Sequence, residues 1–297
     1  MRVFVTGATG FIGSAVIPEL IAAGHSVLGL TRTDDGAAAL QRIGAKAHFG
    51  SLEDLDSLKR GAAEADGVIH LAFNHDFSKI EANSLADRQG IEAMADVLKD
   101  SGRPLLGTAG VLVDNPVPGQ PFGEDDPKPD MRFPRVSEEA TLATLEKGVK
   151  GIVMRLSQIH DRNRQGIVSW MIQMALQKKA VAYVGDGANR WAAAHRSDTA
   201  RLYRLVLEKA AAGSKWHAVG EQGVRSRDIA EAIGRRLKLP VVSIDPQDAA
   251  SYFGFLSHFM MLDSPSSNAK TCERMGWQPT GPSLIDDLDH LILPPSA

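Results

Sequence analysis

The 297-residue sequence predicts an α/β fold, in which a doubly wound parallel sheet is followed by a smaller C-terminal α/β part. Three observations predict this fold class. Up to about residue 160, short strand-like apolar runs alternate with amphipathic segments of helix length. A glycine-rich turn at residues 7–13 joins the first run to the first of these helices. Beyond residue 160 the alternation loosens, which indicates a second and smaller part of the chain.

The first part is predicted to contain six strands and five helices. The strands are expected at residues 2–6, 25–30, 45–50, 67–73, 104–110 and 151–157. The helices between them are expected at residues 11–23, 35–43, 52–64, 79–101 and 135–148. Strands that are apolar throughout are typical of a parallel sheet that helices cover on both faces. Segment 116–134 contains six prolines, so we expect an exposed loop after the fifth strand.

The second part has weaker signals. Helices are predicted at residues 196–213, where Ser197 or Asp198 is the cap, and at 226–239, and a strand is predicted at 240–244. Residues 248–262 form a helix-length stretch rich in Phe and Met. This stretch is interpreted either as an apolar wall or lid over a substrate pocket, or as core of the smaller part or an oligomer contact.

Composition and charge exclude several classes of protein. The net charge of −3 and the absence of a basic cluster argue against a nucleic-acid partner. A single cysteine, Cys272, cannot form an intramolecular disulfide, and we interpret it as a packing residue. The nine histidines show no metal-binding spacing, so no metal is expected. No apolar stretch reaches the roughly 18 residues of a membrane span. We therefore expect a cytoplasmic protein with a small-molecule substrate, and a homodimer is possible.

The spacing of the glycines predicts a phosphate site. A strand that turns tightly into a helix presents unpaired backbone N–H groups and the positive end of the helix dipole, which together bind anions. Gly7 permits the turn, Gly10 lets the backbone approach a pyrophosphate, and Gly13 lets the helix pack closely on the strand. The sequence therefore predicts a dinucleotide-binding turn.

Three motifs resemble one family. "TGATGFIG" has the spacing G-x-x-G-x-x-G, "HLAF" at 70–73 ends the fourth run, and "MGWQP" stands at 275–279. Together they resemble the extended short-chain dehydrogenase/reductases of the NAD(P)-dependent epimerase/dehydratase type. The resemblance implies a Rossmann domain at 1–160, to which about 192–220 returns, and a substrate-binding part at 161–297.

The same resemblance implies which residues contact the dinucleotide. The expected dinucleotide contacts lie in the glycine turn and at strand ends. They are Thr9, Phe11 and Ile12 with the glycines, Ser51 and Leu52 beside the adenine, and Leu71, Ala72 and Phe73 along the ribose and pyrophosphate. At the end of the second strand an acidic residue would select NAD, whereas an arginine pairs with the 2′-phosphate of NADP. Arg32, helped by Thr31 or Thr33, favours NADP(H), and a shift of two residues would let Asp34 bind NAD(H) instead.

The family's acid–base pair is a Tyr-x-x-x-Lys motif, with a Ser or Thr at the end of the fifth strand. None of the three tyrosines here is followed four residues later by lysine. Alignment through the following helix puts Met131 at the tyrosine position and Arg135 at the lysine position. We expect Arg135 to bind the nicotinamide ribose and Thr108 to occupy the Ser/Thr position. The general acid stays open among four side chains and a water: Thr108, His75, Asp76 and His160.

Other polar residues are candidates for functional or structural roles. His160 could line the nicotinamide pocket with Ser157 and Gln158, although a histidine at a strand end is more often structural. Asp198 is interpreted as a helix cap and His195 as a packing residue. Arg190 could bind the phosphate of a nucleotide sugar or be a solvated charge.

Three functions follow from these observations. The favoured one is an oxidoreductase that uses NADP(H) on a small carbonyl or alcohol without the usual Tyr/Lys pair. The alternatives are a non-catalytic redox sensor, which needs no general acid, and a nucleotide-sugar epimerase or dehydratase.

Overall fold

The structure is a computed structural model, and it describes residues 1–115, 117, 119–129 and 135–293. The strands, in chain order, are β1 Arg2–Thr6, β2 Ser26–Thr31, β3 Lys46–Phe49, β4 Gly67–His70, β5 Pro104–Gly110, β6 Lys150–Leu156, β7 Gln158–His160, β8 Val181–Val184, β9 Arg190–His195, β10 Lys215–Ala218, β11 Glu221–Arg225 and β12 Val241–Ile244. The helices are α1 Gly13–Ala22, α2 Asp34–Arg42, α3 Leu55–Ala63, α4 Ile80–Leu98, α5 Ser137–Ala143, α6 Val168–Lys178, α7 Arg196–Lys209, α8 Ser226–Leu237, α9 Ala249–Phe253, α10 Ser257–Met261, α11 Ala269–Met275 and α12 Leu284–Asp289.

Seven strands form the central sheet, in the order β3-β2-β1-β4-β5-β6-β10, and every pairing in it is parallel. From β1 the strands are added toward one edge of the sheet up to β3, and from β4 they are added toward the other edge. The order of the strands therefore switches between β1 and β4. In such folds ligands bind outside the carboxyl ends of the strands at this switch point. The predicted doubly wound parallel sheet is therefore confirmed, and it places the glycine turn after β1 at the expected crevice.

Helices cover both faces of this sheet. One face packs Val3, Ile17 and Trp216 into a core with α1 and α7, and the other packs Phe4 and Leu58 with α3 and α4. Both faces of β1 are therefore buried, which explains why its sequence is apolar throughout rather than alternating.

The smaller part has its own core and its own short sheets. Trp191, Ile229, Phe253 and Leu284 belong to one buried cluster. The order in the three-stranded sheet is β11-β9-β7, and β12 pairs with β8. The returning segment supplies α7, which packs on α1, and β10, which pairs with β6. The boundary near residue 160 stays a prediction.

Several predicted elements have other bounds in the structure, among them the fourth strand, the helix after the fifth strand and the stretch 248–262. The fourth strand ends at His70 instead of residue 73, because the N–H groups of Leu71 and Ala72 donate to the Thr6 hydroxyl rather than to a strand. The helix expected at 135–148 begins at Ser137 and ends in a 3₁₀ turn over Thr144–Lys147. The stretch 248–262 is broken between α9 and α10 at Gly254, which has a φ of +58°.

The proline-rich segment is not wholly exposed. Among its described residues, Phe122 and Glu124 are buried. The Arg155 guanidinium lies over the Phe122 ring, and Glu124 accepts a hydrogen bond from the Thr271 backbone. Arg155 also forms a buried two-point ion pair with Glu138 of α5, at 2.6 and 2.8 Å. This arginine, which the sequence did not single out, fixes the loop against the sheet.

Candidate functional site

Backbone atoms form the glycine turn at residues 7–13, called the glycine cradle below, and they leave no room for side chains at Gly7 and Gly13. A Cβ at Gly13 would lie 2.2 Å from the Gly7 carbonyl oxygen, and one at Gly7 would lie 2.8 Å from the Ala72 nitrogen. Gly7 also has a φ of +63°, which L side chains rarely adopt. The Gly10 N–H donates to the Gly7 carbonyl at 2.9 Å and closes the turn.

The N–H groups at the start of α1 are available to a ligand. Within the part of the chain that the structure describes, the backbone N–H groups of Phe11 and Ile12 donate to no protein acceptor, and α1 has no side-chain cap. Thr9 is exposed at the tip of the turn. Unpaired N–H groups at the positive end of a helix suit an anion such as a diphosphate.

A buried hydrogen-bond chain holds the end of β4 beside this turn. Thr6 Oγ1 accepts the N–H groups of Leu71 and Ala72, so its own proton goes to His70 Nδ1 at 2.8 Å. That leaves the His70 Nε2 proton for Asp87, at 3.0 Å. Thr6, His70 and Asp87 were not predicted; His70 carried a signal, since it opens the "HLAF" motif.

The chain continues from Asp87 to Arg135. Ser137 Oγ donates to Asp87 at 2.6 Å and accepts the Arg135 Nε proton at 3.0 Å. Burial by itself raises the pKa of Asp87, but the hydrogen bonds from His70 and Ser137 and the charge of Arg135 together lower it. Asp87 is therefore an anion that supports the arginine through Ser137.

Arg135 lies at the carboxyl end of β5. Its Nη2 donates to the Thr108 carbonyl at 3.1 Å, and its guanidinium lies 4.3 Å from the centroid of the Phe73 ring. Burial lowers the pKa of Arg135, and the charge of Asp87 offsets part of this effect. The remaining N–H groups of its guanidinium have no acceptor among the described residues. Met131, predicted at the tyrosine position, lies outside the described residues.

Thr108 points into the core instead of the crevice. Its hydroxyl donates to the His70 carbonyl at 2.7 Å and accepts from the Tyr203 hydroxyl at 2.8 Å. Tyr203 is fully buried, and this burial raises its pKa. Both hydrogen bonds of Thr108 are thus used within the protein, so its predicted contact with a substrate oxygen stays a prediction.

His160 lies in a buried acidic cluster. Its Nδ1 is 2.7 Å from Asp287 of α12, and its Nε2 is 3.8 Å from Glu221. His195 approaches the same Asp287 carboxylate at 3.7 Å. The side chain of His160 has no exposed surface, which fits the structural reading of this residue better than the catalytic one. Ser157, its neighbour, donates its hydroxyl to the Ala218 carbonyl at 2.6 Å.

The end of β2 presents Arg32. The strand ends at Thr31, Arg32 follows as an exposed residue, and Asp34 already belongs to α2. The hydroxyls of Thr31 and Thr33 are engaged locally, with the Thr33 carbonyl and the Gly36 N–H. Arg32 is therefore the exposed side chain directly beyond the strand.

The end of β3 lies beside Arg32. The Ser51 hydroxyl accepts the N–H groups of Glu53 and Asp54, and Leu52 packs at the edge of the core. The hydrogen bond with Ser51 is the main factor that lowers the pKa of Glu53, and the charge of Arg32 also contributes.

The remaining candidates have clear surroundings. Asp76 caps a short 3₁₀ turn through Ser78. His75 contacts Phe73 edge-on, and its pKa is lowered by burial and by the charges of Arg135 and Arg164. Arg190 pairs with Asp263 at 2.9 Å.

Two predictions about the returning segment and one about the cysteine can be compared with the structure. Asp198 accepts the N–H groups of Thr280 and Gly281, while His195 is the residue that caps α7. Cys272 packs against the core, as interpreted.

The described ranges contain neither a metal-binding group nor a helix that could span a membrane. No group of three or more His, Cys, Asp or Glu side chains there is arranged to bind a metal ion. Every helix in the same ranges is too short or too polar to span a lipid bilayer.

Comparison with known proteins defines the class. The model of the NAD dependent epimerase/dehydratase family matches residues 3–219. The chain therefore belongs to this family, as its motifs predict.

Individual relatives agree with this assignment. An uncharacterized protein of Saccharomyces cerevisiae is 45% identical over 97% of this chain and 98% of its own length. A 4-hydroxy-2-methyl-3-oxo-4-farnesyl-3,4-dihydroquinoline-1-oxide ketoreductase of Stigmatella aurantiaca is 25% identical over 86% of this chain and 80% of its own. The dTDP-glucose 4,6-dehydratase DesIV of Streptomyces venezuelae, solved with NAD and TYD bound, has a TM-score of 0.78 at 20% identity and covers 97% of this chain and 95% of its own. This last likeness shows that the fold extends over nearly the whole chain.

Proposed function

We propose that this protein is an NADP(H)-dependent oxidoreductase that acts on a small organic carbonyl or alcohol. The observation that carries the proposal is the glycine cradle. Two N–H groups without a protein acceptor precede α1, and Gly13 lets this helix start pack directly on the Gly7 carbonyl and Ala8. This geometry fits the diphosphate of a dinucleotide.

The preference for NADP(H) rests on Arg32. A guanidinium directly beyond β2 pairs with a 2′-phosphate, whereas Asp34 lies within α2, two residues further on. NAD(H) is the alternative cofactor, and it requires Asp34 to turn back toward the ribose.

The chemistry is assigned to the end of β5. A bound nicotinamide supplies or accepts the hydride. Arg135, fixed by Ser137 and the Thr108 carbonyl, directs its remaining N–H groups at the ribose and at the negative charge that develops on the substrate oxygen. Water provides the proton, and Thr108 acts as a positioning residue for Arg135.

The substrate is expected to be apolar. Leu112, just beyond β5, packs against the cluster that contains Phe253 and Phe259. The proposed pocket wall is therefore the edge of this cluster at Leu112, at the end of the sheet where Arg135 lies. A ketone with an apolar substituent fits such a wall, and the ketoreductase relative acts on a bulky ketone, as its name states.

A non-catalytic NADP(H) sensor is the second candidate. One observation favours it. The Arg135 charge acts on the pKa of Tyr203, but Tyr203 is buried, and this burial raises its pKa and keeps the hydroxyl protonated. Such a hydroxyl does not serve as an exchangeable acid at the crevice.

The test has two stages. NADPH and NADH are titrated by fluorescence, and the protein is then assayed at the nicotinamide absorbance band with ketones, aldehydes, alcohols and UDP- or dTDP-sugars. We expect tighter NADPH binding and turnover of an apolar ketone. Binding without turnover across the panel would favour the sensor, and turnover of a nucleotide sugar would favour an epimerase or dehydratase. Failure to bind either dinucleotide would overturn all three.

A further inference from the structure

Two arginines from outside the first 160 residues flank the glycine turn. The guanidinium of Arg196 lies 4.8 Å from the centroid of the Phe11 ring, and that of Arg164 lies 5.8 Å from it. Phe11 follows Gly10 and carries one of the two N–H groups that have no protein acceptor. The smaller part of the chain therefore brings positive charge to the rim of the cradle.

Arg196 is fixed to the turn. Its Nη2 donates to the Ser14 hydroxyl at 2.6 Å, and Ser14 in turn donates to the Gly10 carbonyl at 2.7 Å. Its Nη1 donates to Asp161 at 3.1 Å. Because Asp161 pairs with its charge and Ser14 accepts its Nη2 proton, Arg196 supports the turn rather than offering its charge to a ligand.

Arg164 is placed by the same carboxylate. Asp161 Oδ1 accepts the N–H groups of Asn163 and Arg164, and the Asp161 N–H donates to the Arg164 carbonyl at 2.8 Å. This closes a short loop whose last side chain faces Phe11. Arg164 is exposed, and no carboxylate of the described residues lies within 4.0 Å of its guanidinium.

The field of Arg164 extends across the crevice. Its charge contributes to the lowered pKa of His75, which follows β4, whereas Phe11 follows β1. A dinucleotide in the crevice would pass between these two strand ends. Arg164 thus lies beside the predicted path of the diphosphate, and no carboxylate of the described ranges pairs with it.

We propose that Arg164, oriented by Asp161 and Arg196, pairs with the diphosphate of the bound dinucleotide and closes the cradle from the side opposite the backbone N–H groups. The inference rests on the proposed function. It adds a cofactor-binding side chain to a turn that otherwise binds phosphate through the backbone. It also couples the smaller part of the chain to cofactor binding.

The test compares Arg164→Gln with Arg164→Lys and with the control Arg162→Gln. Arg162 lies in the same loop but faces Asp287, at 3.8 Å. The ligands are NADPH and adenosine 2′-phosphate, which lacks the diphosphate. A lost charge-assisted hydrogen bond at an exposed site corresponds to about a tenfold weaker Kd.

We expect Arg164→Gln to weaken NADPH binding about tenfold and to change adenosine 2′-phosphate binding less than twofold. Arg164→Lys should recover part of the loss, and Arg162→Gln should bind NADPH within twofold of wild type. An Arg164→Gln protein that binds NADPH as wild type does would overturn the inference, and so would one that loses both ligands equally. The proposed function would stand in either case. It would fail only if the wild-type protein bound no dinucleotide.

Discussion

The guanidinium of Arg135 lies over the ring of Phe73, 4.3 Å from its centroid. Phe73 follows β4, and Arg135 precedes α5, so this contact joins two elements that are distant in sequence at the edge of the crevice. Planar cations and aromatic faces attract each other, and the attraction is stronger where water is excluded. The contact therefore orients the remaining N–H groups of the arginine.

Replacing Arg135 with Met should remove the charge and keep most of the volume. We expect kcat/KM to fall about a hundredfold, the magnitude typical for losing one group that stabilises developing negative charge. Arg135→Lys should recover only part of this loss, because an ammonium cannot donate to Ser137 and to the Thr108 carbonyl in the fork geometry of arginine. Steady-state kinetics with NADPH measures the effect. Unchanged kinetics in Arg135→Met would remove this residue from the mechanism.

Replacing Arg32 with Ala should change cofactor preference. We expect NADPH binding to weaken by about tenfold or more, since a charge-assisted phosphate contact is lost, while NADH binding changes little. Parallel fluorescence titrations give both dissociation constants. The assignment fails if the ratio of the two constants is the same as in wild type; Asp34→Asn then becomes the informative variant, because it weakens NADH binding if Asp34 contacts the ribose.

Replacing Gly13 with Ala should damage both folding and binding. The new Cβ would approach the Gly7 carbonyl oxygen to 2.2 Å, so backbone must shift. We expect the free energy of unfolding to fall by about 2 kcal/mol, a typical cost of overpacking, and NADPH binding to be lost. Urea unfolding is the measurement. Gly110→Ala is the control, since its nearest neighbour would be 3.7 Å away; equal destabilisation of the two variants would contradict the cradle geometry.

His217 should make stability depend on pH. Burial, and then the charge of Arg155 at its Nε2, lower its pKa to about 3 in the folded protein, from 6.5 in the unfolded chain. The unfolded chain binds more protons between these values, so the contribution of His217 to stability is complete above pH 6.5 and is lost as the pH falls toward 3.

Between pH 7 and pH 5 this linkage amounts to about 2 kcal/mol of unfolding free energy. Urea unfolding at both pH values should show a smaller decrease for His217→Gln than for wild type, because glutamine does not titrate. Equal decreases in the two proteins would show that His217 is already protonated, or exposed, in the folded state.

The sequence by itself determined the fold class and the cradle. Both depend on local rules: strands buried on two faces are apolar throughout, and a tight strand-to-helix turn tolerates only glycine at Gly7 and Gly13. These rules are visible in consecutive residues, so the strands, the turn and the family resemblance could all be read before the structure. The second strand was also predicted to within one residue at each end, at 25–30 against Ser26–Thr31.

Tertiary structure decided the surroundings of the candidate site. The hydrogen-bond chain from Thr6 through His70, Asp87 and Ser137 to Arg135 joins residues up to 129 positions apart. The periodicity of the sequence does not predict such contacts. The family resemblance predicted Thr108 and His160 as candidate site residues, and their catalytic roles stay predictions. Their hydroxyl and imidazole contact Tyr203 and Asp287 in the interior. Which side of a strand end faces the crevice depends on the pleat and on what packs beneath it, and only the folded chain determines both.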